Sequence, residues 1–297
     1  MEQLYSYGIL TVSTLMFGFM FFFKDIYRKN YGSGWKATLT MSIGGGFFGL
    51  IVLILINGFV LEFSVFALIM AIFTTINGIA FSFCSLKALG KINLSLYSLF
   101  SMLGGMALPF ISGIFFHGEP FTLNKAVCFI IITIALTLTA EKDNKKTGTI
   151  YYIGIFVLNG LSGVIAKIYH SLPFEKISSA GYSILSVLVT IILASFLLLF
   201  VKEEKKKLNL SCIFAMAGCG ILGRVANWLL LIALLNLPAS AQYPFVTGGT
   251  MIVSTLISLF SDKKPTKREI AAVILSFVGI LLLIFIPQMQ IFKISWR

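Results

Sequence analysis

The chain has 297 residues, of which 58% are hydrophobic and only 11% charged, and its mean hydropathy is +0.97. A soluble domain carries about 25% charged residues and cannot hide so much apolar side chain, so a water-soluble globule is excluded and a polytopic membrane protein is expected. The net charge of +12 does not point to nucleic acid, because the lysines fall in short runs between apolar stretches, where headgroup-facing loops put them.

A helix needs about 20 apolar residues to cross the hydrocarbon core. Ten segments qualify, at 4–23, 36–57, 62–86, 93–116, 121–140, 149–168, 179–201, 210–235, 238–260 and 268–288. The opening MEQLYSYG lacks a basic leader, so the first segment is expected to stay as a helix. Polar breaks follow the first (KDIYRKNYGSG), fourth (HGEP), fifth (EKDNKKTG), seventh (VKEEKKK) and ninth (SDKKPTKRE) segments. The apolar runs do not alternate as barrel strands do, so the expected fold is all-α with ten transmembrane helices.

Sliding the chain by 144 residues superposes Gly104-Gly105 on Gly248-Gly249, Thr122 on Thr266, and Ala126–Leu138 on Ile270–Leu282. Two five-helix units are therefore expected, 1–146 and 147–297. Five crossings each would make them inverted repeats, a common plan of secondary transporters. Loops after helices 1, 3, 5, 7 and 9 hold about 17 Lys and Arg against about 5 in the termini and other loops, which votes for cytoplasmic odd loops and outside termini.

Arg224 lies 11 residues from either end of the apolar run Ile213–Leu235, near the bilayer midplane. Placing Arg there costs about 2.5–3.5 kcal/mol on insertion scales, so its side chain must face the bundle interior, a wet cavity or a carboxylate. None of the 11 acidic residues lies in mid-segment. Two readings stand: a clamp between helices, or a ligand for an anionic group of a cargo; the second is favoured. Asn227 and Trp228 share its helix stripe. Gln242 and Tyr243 precede Pro244 in the ninth segment, and Asn93 and Tyr97 open the fourth; amides and aromatics suit a small polar molecule.

Lys24 and Lys167 sit near the ends of the first and sixth segments, at corresponding places in the two units. Beside Arg224 they would add a positive field. Lys87 closes the third segment. His117 titrates near neutrality and Glu119 stands at a helix entrance, so both are candidates for proton coupling. The four cysteines have neither framework nor metal-ligand spacing, and no metal or cofactor is expected. No phosphate loop or HExxH motif occurs and the loops are too short for a nucleotide-hydrolysing domain, so the chain is not expected to be an enzyme.

The layout and the stretch Leu108-Pro109 through Phe116-His117-Gly118-Glu119 to Thr122 resemble the drug/metabolite transporter superfamily, particularly its EamA-like members. Phe17-Gly18 is similar to a Trp-Gly pair of that family, and Lys24 to the lysine that follows it. Asp262-Lys263 stands in place of the second Gly-Glu, and NGFVLE lacks a basic loop that many members carry. The resemblance implies a bacterial plasma-membrane carrier that exports or exchanges small metabolites such as amino acids. The expected partners are substrate, lipid, and protons or a counter-substrate. Cargo of sugar phosphates or nucleotide-linked sugars, and a non-transporting scaffold or receptor, are the alternatives. The family's orientation, with cytoplasmic termini, opposes the charge vote.

Overall fold

A computed structural model describes residues 2–116, 121–139, 149–202, 207–233, 239–285 and 290–292. Among these are ten helices: α1 (Glu2–Tyr31), α2 (Trp35–Ile56), α3 (Val65–Lys91), α4 (Leu94–Phe116), α5 (Leu123–Thr139), α6 (Thr149–Ser171), α7 (Ser179–Leu198), α8 (Leu210–Ala233), α9 (Ala239–Leu259) and α10 (Lys267–Phe285). Two short strands, β1 (Phe121–Thr122) and β2 (Gln290–Phe292), pair antiparallel.

Most helix ends fall within a few residues of the apolar segments, because hydropathy and backbone self-satisfaction select the same stretches. The first and third helices run longer than expected. KDIYRKNY continues α1 to Tyr31, with Arg28 and Lys29 pairing back onto Asp25 at 2.9 and 3.6 Å and the Tyr27 hydroxyl donating to the Ala37 carbonyl at 2.9 Å. Pairs three and four residues apart support a helix despite polar side chains. The turn comes at Gly32, whose φ of 112° is open to glycine. Likewise Lys87 and Lys91 are inside α3, not beyond it.

Among the described residues six helices are long and apolar enough to cross a membrane: 5–31, 35–56, 65–91, 150–169, 179–198 and 210–230. α4 and α9 pack deeply against the other helices. The whole run Ile92–Leu99 is buried, as are Thr247, Thr250, Ser254, Thr255 and Ser258 of α9, so these faces meet protein and can carry hydroxyls. Ser95 and Thr255 join the two helices at 2.8 Å.

The helices pack in a regular scheme. α1 lies on α8 and α9, while α6 lies on α3 and α4; α2 contacts α8 as α7 contacts α3. α2–α7, α4–α9 and α5–α10 also pair. The largest core cluster surrounds α4, with Tyr97 edge-on to Phe21 of α1 at 5.0 Å. At one end Lys29 meets Asp262 at 2.8 Å, Asn30 meets Ser211 at 3.3 Å and Lys263 donates to the Gly90 carbonyl at 2.7 Å. These contacts gather basic connections following α1, α3, α7 and α9. At the other end Glu62 accepts from the Ser178 amide at 2.5 Å and hydroxyl at 2.7 Å.

Caps finish the helices. Asn93 accepts the Leu96 amide at 2.9 Å as the cap of α4 and donates to Glu269 at 2.8 Å. Glu269 in turn accepts from the Thr266 amide at 2.5 Å, closing a capping box with the Thr266 hydroxyl at the start of α10.

The α2–α8 crossing depends on glycine. A methyl on Gly220 would collide with the backbone carbonyl of Gly45, whereas one on Gly78 meets nothing within 4 Å. Gly220→Ala should therefore lower stability by about 1–3 kcal/mol, read as a lower thermal midpoint in detergent, and Gly78→Ala should not.

The Ser178 donors hold the Glu62 carboxyl below the usual carboxylate range. Its contribution is present above the unfolded value of about 4.3 and is lost as pH falls through the lower folded value. The thermal-midpoint gap between wild type and Glu62→Gln at pH 7 should shrink steadily on acidification below about pH 4.

Candidate functional site

Arg224 is the fifteenth residue of α8, about 21 Å along the helix from Leu210 at 1.5 Å per residue. Its stem lies against α2 at Gly49, where an added methyl would come 2.7 Å from Arg224 Cγ. The absent side chain of Gly49 is what gives the arginine room. Among the described residues the guanidinium has no hydrogen bond and no ion pair. The described carboxylates with partners are engaged elsewhere: Asp25 and Asp262 with basic residues at one end, Glu269 with Asn93 and Thr266, Glu62 with Ser178.

Lys24 is the second deep cation. The longer α1 puts it two turns inside the helix end rather than at a headgroup boundary, and it is only 6% exposed. Its ammonium stands 4.9 Å from the centre of the Phe81 ring, a contact that attracts a cation without neutralising it. Cys84 of α3 and Cys219 of α8 are its other electrostatic neighbours, and Cys219 also feels Arg224. Lys24 on α1 and Arg224 on α8 are thus both electrostatic neighbours of Cys219, the lysine packing on α3 and the arginine stem on α2.

The other expected residues are dispersed. Tyr97 is fully buried, bonded to Ser85 at 2.9 Å, and lies near Cys219. Trp228 packs with Leu53, Ile184 and Val187 between α2 and α7. Asn227 is exposed and donates to its own helix at the Gly223 carbonyl, 3.0 Å away. Asn93 is a helix cap at the basic end. Lys167 is half-buried on α6, two residues from Tyr169, which stacks on Phe66 and Tyr182 toward the opposite end. Gln242 and Tyr243 lie in α9, but their side chains fall outside the described residues, as do His117 and Glu119 altogether.

Sequence reasoning missed Phe81, Cys84 and Cys219 as neighbours of the deep cations. Their only local signal is an apolar or small residue in an apolar run, which carries no address for the opposing helix. Among the described residues the buried hydroxyls of Thr14, Thr250 and Ser254, on α1 and α9, also have no hydrogen-bond partner. No group of three or more His, Cys, Asp or Glu positioned for a metal occurs among the described residues.

One solved crystal structure of a protein is 14% identical, with a TM-score of 0.62 over 95% of this chain and 97% of that one, so the two share a fold. No curated protein matches the chain. Six apolar helices mark an integral membrane protein. Residues 146–285, which carry α6 to α10, match the EamA-like transporter family, a match consistent with the drug/metabolite transporter superfamily.

Proposed function

We propose that the chain is a gradient-driven transporter of small anionic or zwitterionic metabolites, amino acids first, acting as an exporter or exchanger in a bacterial plasma membrane. One observation carries the reading: Arg224 lies deep in α8 with no hydrogen bond and no ion pair among the described residues. A guanidinium cannot be neutralised by losing its proton, so an anionic group of a cargo is the natural receiver. Tyr97 borders the site, and Gln242 and Tyr243 would approach it from α9.

The transport mechanism rests on two inverted five-helix units, 1–146 and 147–297. Two facts support them. α2 and α7 start at 35 and 179, and α5 and α10 at 123 and 267, each pair 144 residues apart. Packing also repeats: every contact named above between two different helices of the scheme has its counterpart five helices on, or is its own counterpart. Alternate access would arise as one unit rocks against the other around the cations. The gathered basic loops favour a cytoplasmic placement of that end. Protons or a counter-substrate would drive the cycle, with His117 and Glu119 as coupling candidates.

In liposomes preloaded with unlabelled amino acid, wild type should exchange labelled amino acid. Arg224→Ala should slow exchange at least about tenfold while keeping the wild-type thermal midpoint, as expected for losing a charge-assisted bond. Arg224→Lys should recover part of the rate, since it keeps the charge but not the planar fork. Exchange at the wild-type rate in Arg224→Ala would remove the proposal, and a collapsed midpoint with normal residual exchange would mark the arginine as a helix clamp.

A further inference from the structure

We propose that the outer face of α3, where it meets the starts of α2 and α6, is a docking site for a membrane phospholipid whose headgroup carries a net negative charge. The phosphate meets Lys87 and Lys91, and the acyl chains lie along the apolar part of the same face. The proposal does not depend on the reading of Arg224.

One stripe of α3 carries the arrangement. Ile69, Phe73, Ile76, Phe83, Lys87 and Lys91 follow one another at three- and four-residue spacing, with Ala80 filling the one gap, so they share a helix face. Ile69, Phe73 and Ile76 are exposed, whereas Phe83 and Lys87 are half-buried. Trp35, the first residue of α2, stacks on Phe83 with ring centres 4.2 Å apart, and Tyr151 of α6 meets the same ring edge-on at 6.3 Å. The Lys87 ammonium stands 5.7 Å from the centre of the Phe83 ring, and the Lys91 ammonium 5.2 Å from that of Tyr151. Three helices thus hold two cations against one aromatic cluster.

Position and charge select the ligand. The cluster stands at the end of α3 that joins the basic connections, and Trp and Tyr favour the headgroup level of a bilayer. From Phe83 back to Phe73 the helix spans about 15 Å, half the thickness of a hydrocarbon core. A soluble phosphate would use the lysines alone; a lipid also covers the exposed apolar stripe that continues from them. The described carboxylates of this end are engaged elsewhere, Asp25 and Asp262 with Lys29 and Glu269 with Asn93. Lys87 makes no ion pair among the described residues, and an aromatic ring attracts a cation without neutralising it. A zwitterionic headgroup would bring its own ammonium against the two lysines. An anionic one supplies only the charge they lack.

Tryptophan fluorescence can read the lipid at this spot. The full chain carrying Trp228→Phe and Trp296→Phe keeps Trp35 alone as its reporter. It is reconstituted in phosphatidylcholine vesicles containing phosphatidylglycerol with brominated acyl chains, which quench a neighbouring indole. Phosphatidylglycerol should bind beside Trp35 at least about threefold more tightly than brominated phosphatidylcholine does. Lys87→Gln with Lys91→Gln should bring that ratio to about one. Lys267→Gln with Arg268→Gln, at the start of α10, which packs on α4, α5 and α9, should leave it unchanged. Excess glycerol 3-phosphate should not displace the lipid. Equal quenching by the two lipids would overturn the inference, as would a ratio that survives loss of both lysines or falls equally in the α10 variant. Displacement by glycerol 3-phosphate would also overturn it, by making the ligand a soluble phosphate. Should the chain with one tryptophan fail to fold, native mass spectrometry of lipid adducts on the wild type and the lysine variants decides by the same ratio.

Discussion

A fixed positive charge inside an apolar bundle constrains everything around it. Arg224 has to be given space, kept from lipid and offered something polar. The α2–α8 crossing meets the first demand by placing Gly49 against the arginine stem and Gly45 against Gly220. Close backbones there are not merely a packing economy: with side chains on α2 the arginine would be driven out of its place. Lipid tails give helices no hydrophobic reason to associate, so such small-residue contacts supply the van der Waals contact that holds the helices together.

Helix positions were legible in the sequence because hydropathy and helicity are one constraint in a bilayer. What was illegible is where helices continue beyond the apolar run. KDIYRKNY looks like a loop by composition, yet Asp25 with Arg28 and Lys29 builds an extra two turns, and Tyr27 finds the Ala37 carbonyl. That misplacement had a consequence for the site. A lysine at a helix end reads as a headgroup contact; a lysine two turns inside, 6% exposed, is a deep charge.

The site itself was half legible. Arg224 announces itself, since no local arrangement explains an arginine midway in an oily segment. Its partners do not, because the register of α1 against α8 and α3 is a property of tertiary contact. Cys84 and Cys219 look like ordinary small hydrophobes until both appear beside Lys24. Asn93 erred the other way. It reads as a polar residue near the cavity, whereas an asparagine directly before an apolar helical run is also a strong cap signal, and that is the role it fills with Leu96 and Glu269.

The hydroxyls of α4 and α9 lie on the faces that protein covers, so the two helices meet through polar as well as apolar contacts. Ser95 and Thr255 are satisfied across the α4–α9 contact, but Thr250 and Ser254 of α9 and Thr14 of α1 are buried without partners among the described residues. A buried hydroxyl with no partner raises the energy of the arrangement that contains it. α9, which carries two of these hydroxyls, packs on both α4 and α1, so the cost falls on the contacts around the helix that bears Lys24.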